Sequence, residues 1–368
     1  MKPHIRYLVS SPYGDIPVDE YKLDLPLEGY TLKTPYREYF HSIHGFLTQK
    51  DFQYFLKAAR EKIGKNIHIQ EVKEVIIRTE KHGLFYHPAS IELILNQEKT
   101  KFCLNVAISD SGKAWLQEEI LVLQRLNRKF NPSFLPRAYH WGDYNSMLFL
   151  LEDWFEGYHE FHITIDEEGK KRLKLWEFGK GYKYISPEQG SELYKQASKI
   201  LTLYYDLKDF REIHPWHHAA GDFVVKIDGE KVNVRLTTAR RYEPLLDYSQ
   251  KINPLLALFY FFLNLSFRMR LDRIDGVGNV ILADSSCIKA MIKGFFEALK
   301  LKEGLDGYPD LAEEFSGLAK SFRKDELKDT FKPILNIYKD SSDLPVISNN
   351  LDEHIEELCT TLQNLPLI

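Results

Sequence analysis

The sequence predicts an α+β protein in two parts: a first half built on a five-stranded antiparallel sheet with one helix, and a mostly helical second half. Three observations predict it. Apolar and polar residues alternate with the period of strands over 74–108, take the period of a helix over 114–127, and return to a period of two near 137. From about residue 250 onward the pattern is helical almost throughout. The chain's 368 residues suffice for two domains at about 150 residues each.

Residues 1–45, rich in proline, tyrosine and charge (SPYGDIPVDEYKLDLPLEGY), are expected as an N-terminal arm with little core of its own. The strand-rich lobe is assigned to 46–155. It opens with a helix over 51–64 that places Phe52, Phe55, Leu56, Ala59 and Ile63 on one face. Strands follow at 74–80, 90–97 and 101–108. In 114–127, Leu116, Ile120 and Leu123 form one stripe that Val122 and Leu126 widen, the mark of an amphipathic helix. Two more strands are expected at 137–143 and 146–153.

The helical lobe is assigned to 156–368. A hairpin turning at 167–170 leads to a helix start at Ser186, Pro187 and Gln189: a capping serine, proline at the first helical position and a residue that closes the capping box. The helix is expected to run to about 207, with Leu193, Ala197, Ile200, Leu201 and Tyr204 inward. A histidine-rich loop, REIHPWHHAAG, feeds a hairpin turning at Asp228 and Gly229. The apolar run 255–265 is expected as a buried helix, and caps are expected at Asp284 and around Asn349 and Asn350.

Composition excludes several classes. With 44% hydrophobic, 28% charged and 13% aromatic residues, the chain is neither disordered nor collagen-like nor a disulfide scaffold. The net charge of −4 gives no overall basic field, so neither nucleic acid nor an anionic membrane is expected as a partner. Cys103, Cys287 and Cys359 have no CxxC spacing, which suits a reducing compartment and offers no thiolate zinc site. The N-terminal residues lack a signal-peptide pattern. The longest apolar run falls short of the roughly 20 residues that span a bilayer. A cytoplasmic protein is expected; the sequence points to no particular protein partner.

The densest chemistry lies in His214, His217, His218 and Asp222. Imidazoles serve as general bases near neutral pH and as metal ligands, and a nearby carboxylate can orient one or share a cation. The competing reading is a buried loop with its histidines hydrogen-bonded to backbone. Adjacent side chains tend to point apart, which argues against His217 and His218 sharing one metal. Lys81 and His82, between the first two strands, can meet an anion or form an ordinary polar turn. Arg235, Arg240 and Arg241 can clamp a phosphate, or can tie their segment to Asp222 or Glu243. The GVG at 276–278 lacks the spacing of a dinucleotide fingerprint, and no GxSxG, HExxH, Walker or EF-hand pattern occurs.

In order of elements the chain resembles the protein-kinase-like fold, in particular the aminoglycoside and choline kinase branch. FCLNVAIS resembles the third strand, Glu119 sits where the helix glutamate would be, LFLLEDWFEG resembles the fifth strand and hinge, and HPWHHAAGDFVVKIDGEKVNVRLTT resembles the catalytic loop and magnesium segment. The resemblance covers roughly 70–255 and implies a bilobal fold, a ligand bound between the lobes, and ATP and Mg2+ as cofactors. Laid on the pattern, however, the ATP lysine falls on Asn105, the catalytic aspartate near His217, the loop asparagine near Asp222, and the magnesium aspartate near Arg235. Phosphoryl transfer rests on positioned cations and metal, so these changes put transfer in doubt. The resemblance then implies a degenerate kinase-like protein that binds a nucleotide or phosphorylated small molecule. If it is active, His217 is the expected base beside His218. Asp222 is the expected metal ligand. Lys81 and Arg235 are the expected phosphate cations, and Asn105, Glu119 and Glu152 line the cofactor site. A non-catalytic interaction scaffold and a metal-dependent hydrolase using the histidine loop stay open.

Overall fold

A computed structural model describes the chain except for residues 1, 2, 12, 29–32, 81, 82, 84, 97, 132, 249–251, 305, 306 and 365–368. The described residues contain ten α-helices and a seven-stranded mixed sheet, an α+β architecture. They divide into two compact units, one of 1–156 with 178–181 and one of 157–177 with 182–368.

The first unit begins with β1 (His4–Ser11), β2 (Gly14–Pro17), the short α1 (Glu20–Leu23), α2 (Tyr36–Leu47) and α3 (Gln49–Ile63). Next come β3 (Val72–Thr79), β4 (Ala89–Leu95), β5 (Lys99–Ala107), α4 (Asp110–Lys129), β6 (Ala138–Tyr144) and β7 (Met147–Asp153). Strand order in the sheet is β2-β1-β3-β4-β5-β7-β6. The five expected strands pair antiparallel with one another. They do not form a sheet of their own, because β1 adds to β3 in parallel, with Tyr7 opposite Ile77, and β2 extends it. Residues 1–45 therefore differ from an arm with little core. β1 covers the backbone groups that β3 would otherwise leave bare at an edge. Val9, Leu27, Tyr36, Tyr39, Phe40 and Ile43 are buried in the same core as Phe55, Leu56 and Ala59 of α3 and Phe102, Leu104 and Phe149 of the sheet.

Helix α4 starts four residues before the expected 114, because Ser109 caps it by accepting the Gly112 N–H at 3.0 Å. It buries Leu116, Glu119, Ile120, Leu123 and Leu126.

The second unit holds β8 (Phe161–Ile165), β9 (Lys171–Glu177), β10 (Gly181–Tyr184), α5 (Pro187–Tyr204), β11 (Arg211–His214), β12 (Phe223–Asp228), β13 (Lys231–Leu236) and β14 (Arg241–Pro244). Then follow α6 (Pro254–Arg268), β15 (Leu271–Arg273), β16 (Val280–Leu282), α7 (Ser286–Lys302), α8 (Leu311–Ser321), α9 (Lys324–Ile337) and α10 (Leu344–Gln363). The α5 capping box forms as the sequence requires, with Ser186 and Gln189 closing it reciprocally. The β12–β13 hairpin turns at Gly229, whose φ of +60° is the left-handed conformation glycine adopts without strain. Helices α5 and α7 approach so closely at Gly294 that a Cβ there would collide with the Lys195 carbonyl. Asn349 and Asn350 do not cap a helix: α10 runs through them. Asn350 donates to the Val346 carbonyl four residues back at 2.7 Å, and the buried stripe of Ile347, Leu351, Ile355 and Leu358 outweighs asparagine's preference for helix ends. Among the described residues no helix is long and apolar enough to cross a membrane.

Candidate functional site

The histidine loop, in the second unit between β11 and β12, brings His217, His218 and Asp222 together. A short 3-10 turn at His218–Ala220 ends on Gly221, with φ +70°, which swings the chain into β12. Two side chains fix the loop from outside, and a third reaches out of it. Arg240 donates to the Pro215 carbonyl at 3.2 Å. Arg268 donates to the Trp216 carbonyl at 2.8 and 2.6 Å. His218 itself reaches the Met269 carbonyl at 3.2 Å.

Asp222 is 2% exposed. It accepts both Arg240 guanidinium nitrogens, at 2.9 and 2.7 Å, and the His217 backbone N–H at 2.8 Å. Both carboxylate oxygens are therefore engaged in a buried bidentate pair. The arginine is Arg240, not Arg235. Arg235, opposite Val224 in the β12–β13 ladder, lies over the Tyr158 ring at 5.6 Å and donates to the Val234 carbonyl.

His217 accepts the Ala219 N–H on Nδ1 at 2.9 Å. Its neutral ring then carries the proton on Nε2, 3.7 Å from an Asp343 oxygen, and no ring lone pair remains to take a proton. Burial, with the Arg268 guanidinium adding to it, pushes His217 down to about 4. Burial likewise takes His218 down to about 4. His218 sits among the rings of Phe161, Tyr194, Trp216 and Phe223. These are the surroundings of a neutral core histidine.

The first unit gathers a second polar cluster. On β5 and β7, Asn105 donates to Glu152 at 2.9 Å. Glu119 of α4 accepts the Tyr86 hydroxyl at 2.8 Å. Burial first, then the charges of Glu119 and Asp153, pushes Glu152 well above the usual carboxylate range. Lys101, two turns of the strand alternation from Asn105, lies 3.7 Å over the Trp154 ring and 3.9 Å from Glu80. In the segment that resembles the fifth strand and hinge, the Asp153 N–H bonds the Arg137 carbonyl at 3.1 Å. The Asp153 carboxylate accepts from Lys62, Tyr139 and the Arg137 N–H. Lys81, with His82, lies outside the described residues.

The chain matches no family model and no curated protein. The chemistry of the site does not fit a magnesium ion at Asp222: its oxygens are held by Arg240, and among the described residues no three His, Cys, Asp or Glu side chains converge on a metal-sized point.

Sequence reasoning missed two partners. Tyr86 bonds Glu119 across 33 residues. His162 meets Asp272 at 3.4 Å across 110 residues, with Glu160 at 3.6 Å on its other nitrogen. Burial opposes charge on His162, but bonds to Asp272 and Glu160 outweigh it and raise the ring to about 9. Nothing local in the sequence marks either pair.

Proposed function

We propose that this chain is a non-catalytic binding protein on a bilobal kinase-like frame, without phosphoryl-transfer chemistry. The order strand, strand, strand, helix, strand, strand, with its five strands mutually antiparallel, supports the frame. One observation carries the loss of transfer: the side chains standing at the family's lysine, helix-glutamate and loop-asparagine positions are engaged by partners within the chain. Asn105 bonds Glu152, Tyr86 bonds Glu119, and Arg240 holds Asp222. Phosphoryl transfer needs a cation on the phosphates, a metal-holding carboxylate and a group that accepts the nucleophile's proton. The engaged backbone and carboxylate at Asp153 favour the interaction scaffold over a nucleotide-binding protein. The neutral, internally bonded His217 and His218 weigh against a metal-dependent hydrolase.

The test is turnover. Full-length protein is incubated with ATP, Mg2+ and a panel of hydroxylated and amino small molecules, and ADP is measured. The expected result is no ADP above the buffer blank. ADP that forms with the parent and disappears in Asp222→Asn would overturn the reading.

A further inference from the structure

We propose that the solvent face of the β9–β10 hairpin binds single-stranded nucleic acid. This goes beyond the scaffold reading and is independent of the state of Asp222. The net charge of −4 averages over local runs of opposite sign, and the acidic Asp166, Glu167 and Glu168 are followed at once by a basic stretch. Within residues 170–184, Lys170, Lys171, Arg172, Lys174, Lys180 and Lys183 stand against Glu177 alone. Along β9, Arg172, Lys174 and Trp176 alternate with the inward Leu173 and Leu175. On β10, Tyr182 and Tyr184 share a face and are exposed.

The rings of Trp176, Tyr182 and Tyr184 form a row, with centroids 5.8 and 5.7 Å apart. They are 37%, 54% and 36% exposed, a large aromatic surface to leave in water. Each also carries a cation. Arg172 lies 4.3 Å over Tyr184, and Lys174 lies 4.5 Å over Tyr182 and 5.1 Å over Trp176. A cavity of about 720 Å³ adjoins the row, lined in part by Lys170, Lys171, Arg172, Tyr182, Tyr184 and Ser186.

This combination selects the ligand. Interplanar angles of 56° and 67° leave no flat surface for an extended sugar polymer. Cations over every ring do not suit an uncharged apolar partner. A single strand supplies what both features want: bases that stack on rings or on a guanidinium plane, and phosphates that meet the cations. Asp275 fixes Lys174 at 2.8 Å, Glu177 fixes Lys183 and Glu168 fixes Lys170 at 2.6 Å each, and Asp284 lies 3.5 Å from Lys171, whereas Arg172 has no carboxylate partner among the described residues. Asp166, Glu167 and Glu168 line another part of the cavity, which directs a polyanion toward β10.

The test is fluorescence anisotropy of labelled 20-nucleotide oligouridine and oligothymidine with the full-length protein at 50 and 200 mM salt. Duplex DNA and phosphatidylserine vesicles are the comparators. Binding of either single strand is expected, and the better of the two distinguishes RNA from DNA. Trp176→Ala and Tyr182→Leu should each weaken it about 5- to 150-fold. Arg172→Gln should reduce the slope of log affinity against log salt by about 0.7. If Trp176→Ala misfolds by circular dichroism, the two remaining exposed substitutions carry the test. The proposal is overturned if no single strand binds at 50 mM salt. It is equally overturned if duplex binds as well and the ring variants are unaffected, which is plain ion exchange. Ring variants that lose vesicle binding but keep oligonucleotide binding would assign the face to lipid and overturn it too.

Discussion

Replacing Asp222 by asparagine keeps its volume and one acceptor but removes the charge that Arg240 faces. In the parent, Arg240 places two nitrogens within 2.9 Å of Asp222 and a third contact on the Pro215 carbonyl, with its side chain 14% exposed and Asp222's 2% exposed. Removing one partner of a buried bidentate pair leaves an uncompensated charge and costs about 3–5 kcal/mol. In a unit of about 200 residues, 1 kcal/mol moves Tm by roughly 2–4 °C, so Tm should fall by about 6–20 °C. Chemical denaturation with a double-mutant cycle separates the pair from its surroundings. Asp222→Asn with Arg240→Met should recover most of the loss, because both charges are then gone. A single variant within about 1 kcal/mol of the parent, well under the cost of breaking a buried pair, would refute the reasoning.

Glu212, raised by burial to about 8, keeps its proton in the folded state at pH values where the unfolded chain has lost it. Stability should therefore fall as pH rises from about 4.5 toward 8, by about 1.4 kcal/mol per unit, and Glu212→Gln should remove that slope in a series of Tm against pH. Glu152, also raised by burial, predicts that Glu152→Gln, which can still accept from Asn105, is at least as stable as the parent above neutral pH; a clear loss in urea denaturation at pH 8 would contradict it. For His218, lowered to about 4, the unfolded ring takes up a proton that the folded ring refuses. The parent's advantage over His218→Gln should thus shrink by about 1.4 kcal/mol per unit as pH falls from 6.5 to 4, and a constant difference would speak against the neutral core assignment.

What was legible in the sequence was local. Ser186, Pro187 and Gln189 announce α5 because a capping box involves only neighbours, and Asp228 with Gly229 announces its hairpin for the same reason. The five strands were readable from their alternation, but not the parallel addition of β1, which joins residues about 70 positions apart. Asn349 and Asn350 misled because tertiary burial of their helix outweighs their own preference. At the site, His217, His218 and Asp222 share one loop because they are close in sequence. Spacing alone leaves Arg235, Arg240 and Arg241 as equal candidates for Asp222, and the chain beyond β13 turns back to deliver Arg240. Tyr86 was invisible as Glu119's partner because its hydroxyl arrives from a loop before β4.

We propose that Asn105, Glu119 and Asp222, engaged by Glu152, Tyr86 and Arg240, hold no metal-bound nucleotide. Thermal-shift titration of the full-length protein with millimolar ATP, in Mg2+ and in EDTA, tests it most directly. The account predicts the same Tm in both series at every ATP concentration. Occupancy at about 100 times Kd would stabilise the protein by roughly 2.7 kcal/mol. A shift of that size that requires Mg2+ and is lost in Asp222→Asn would contradict the account.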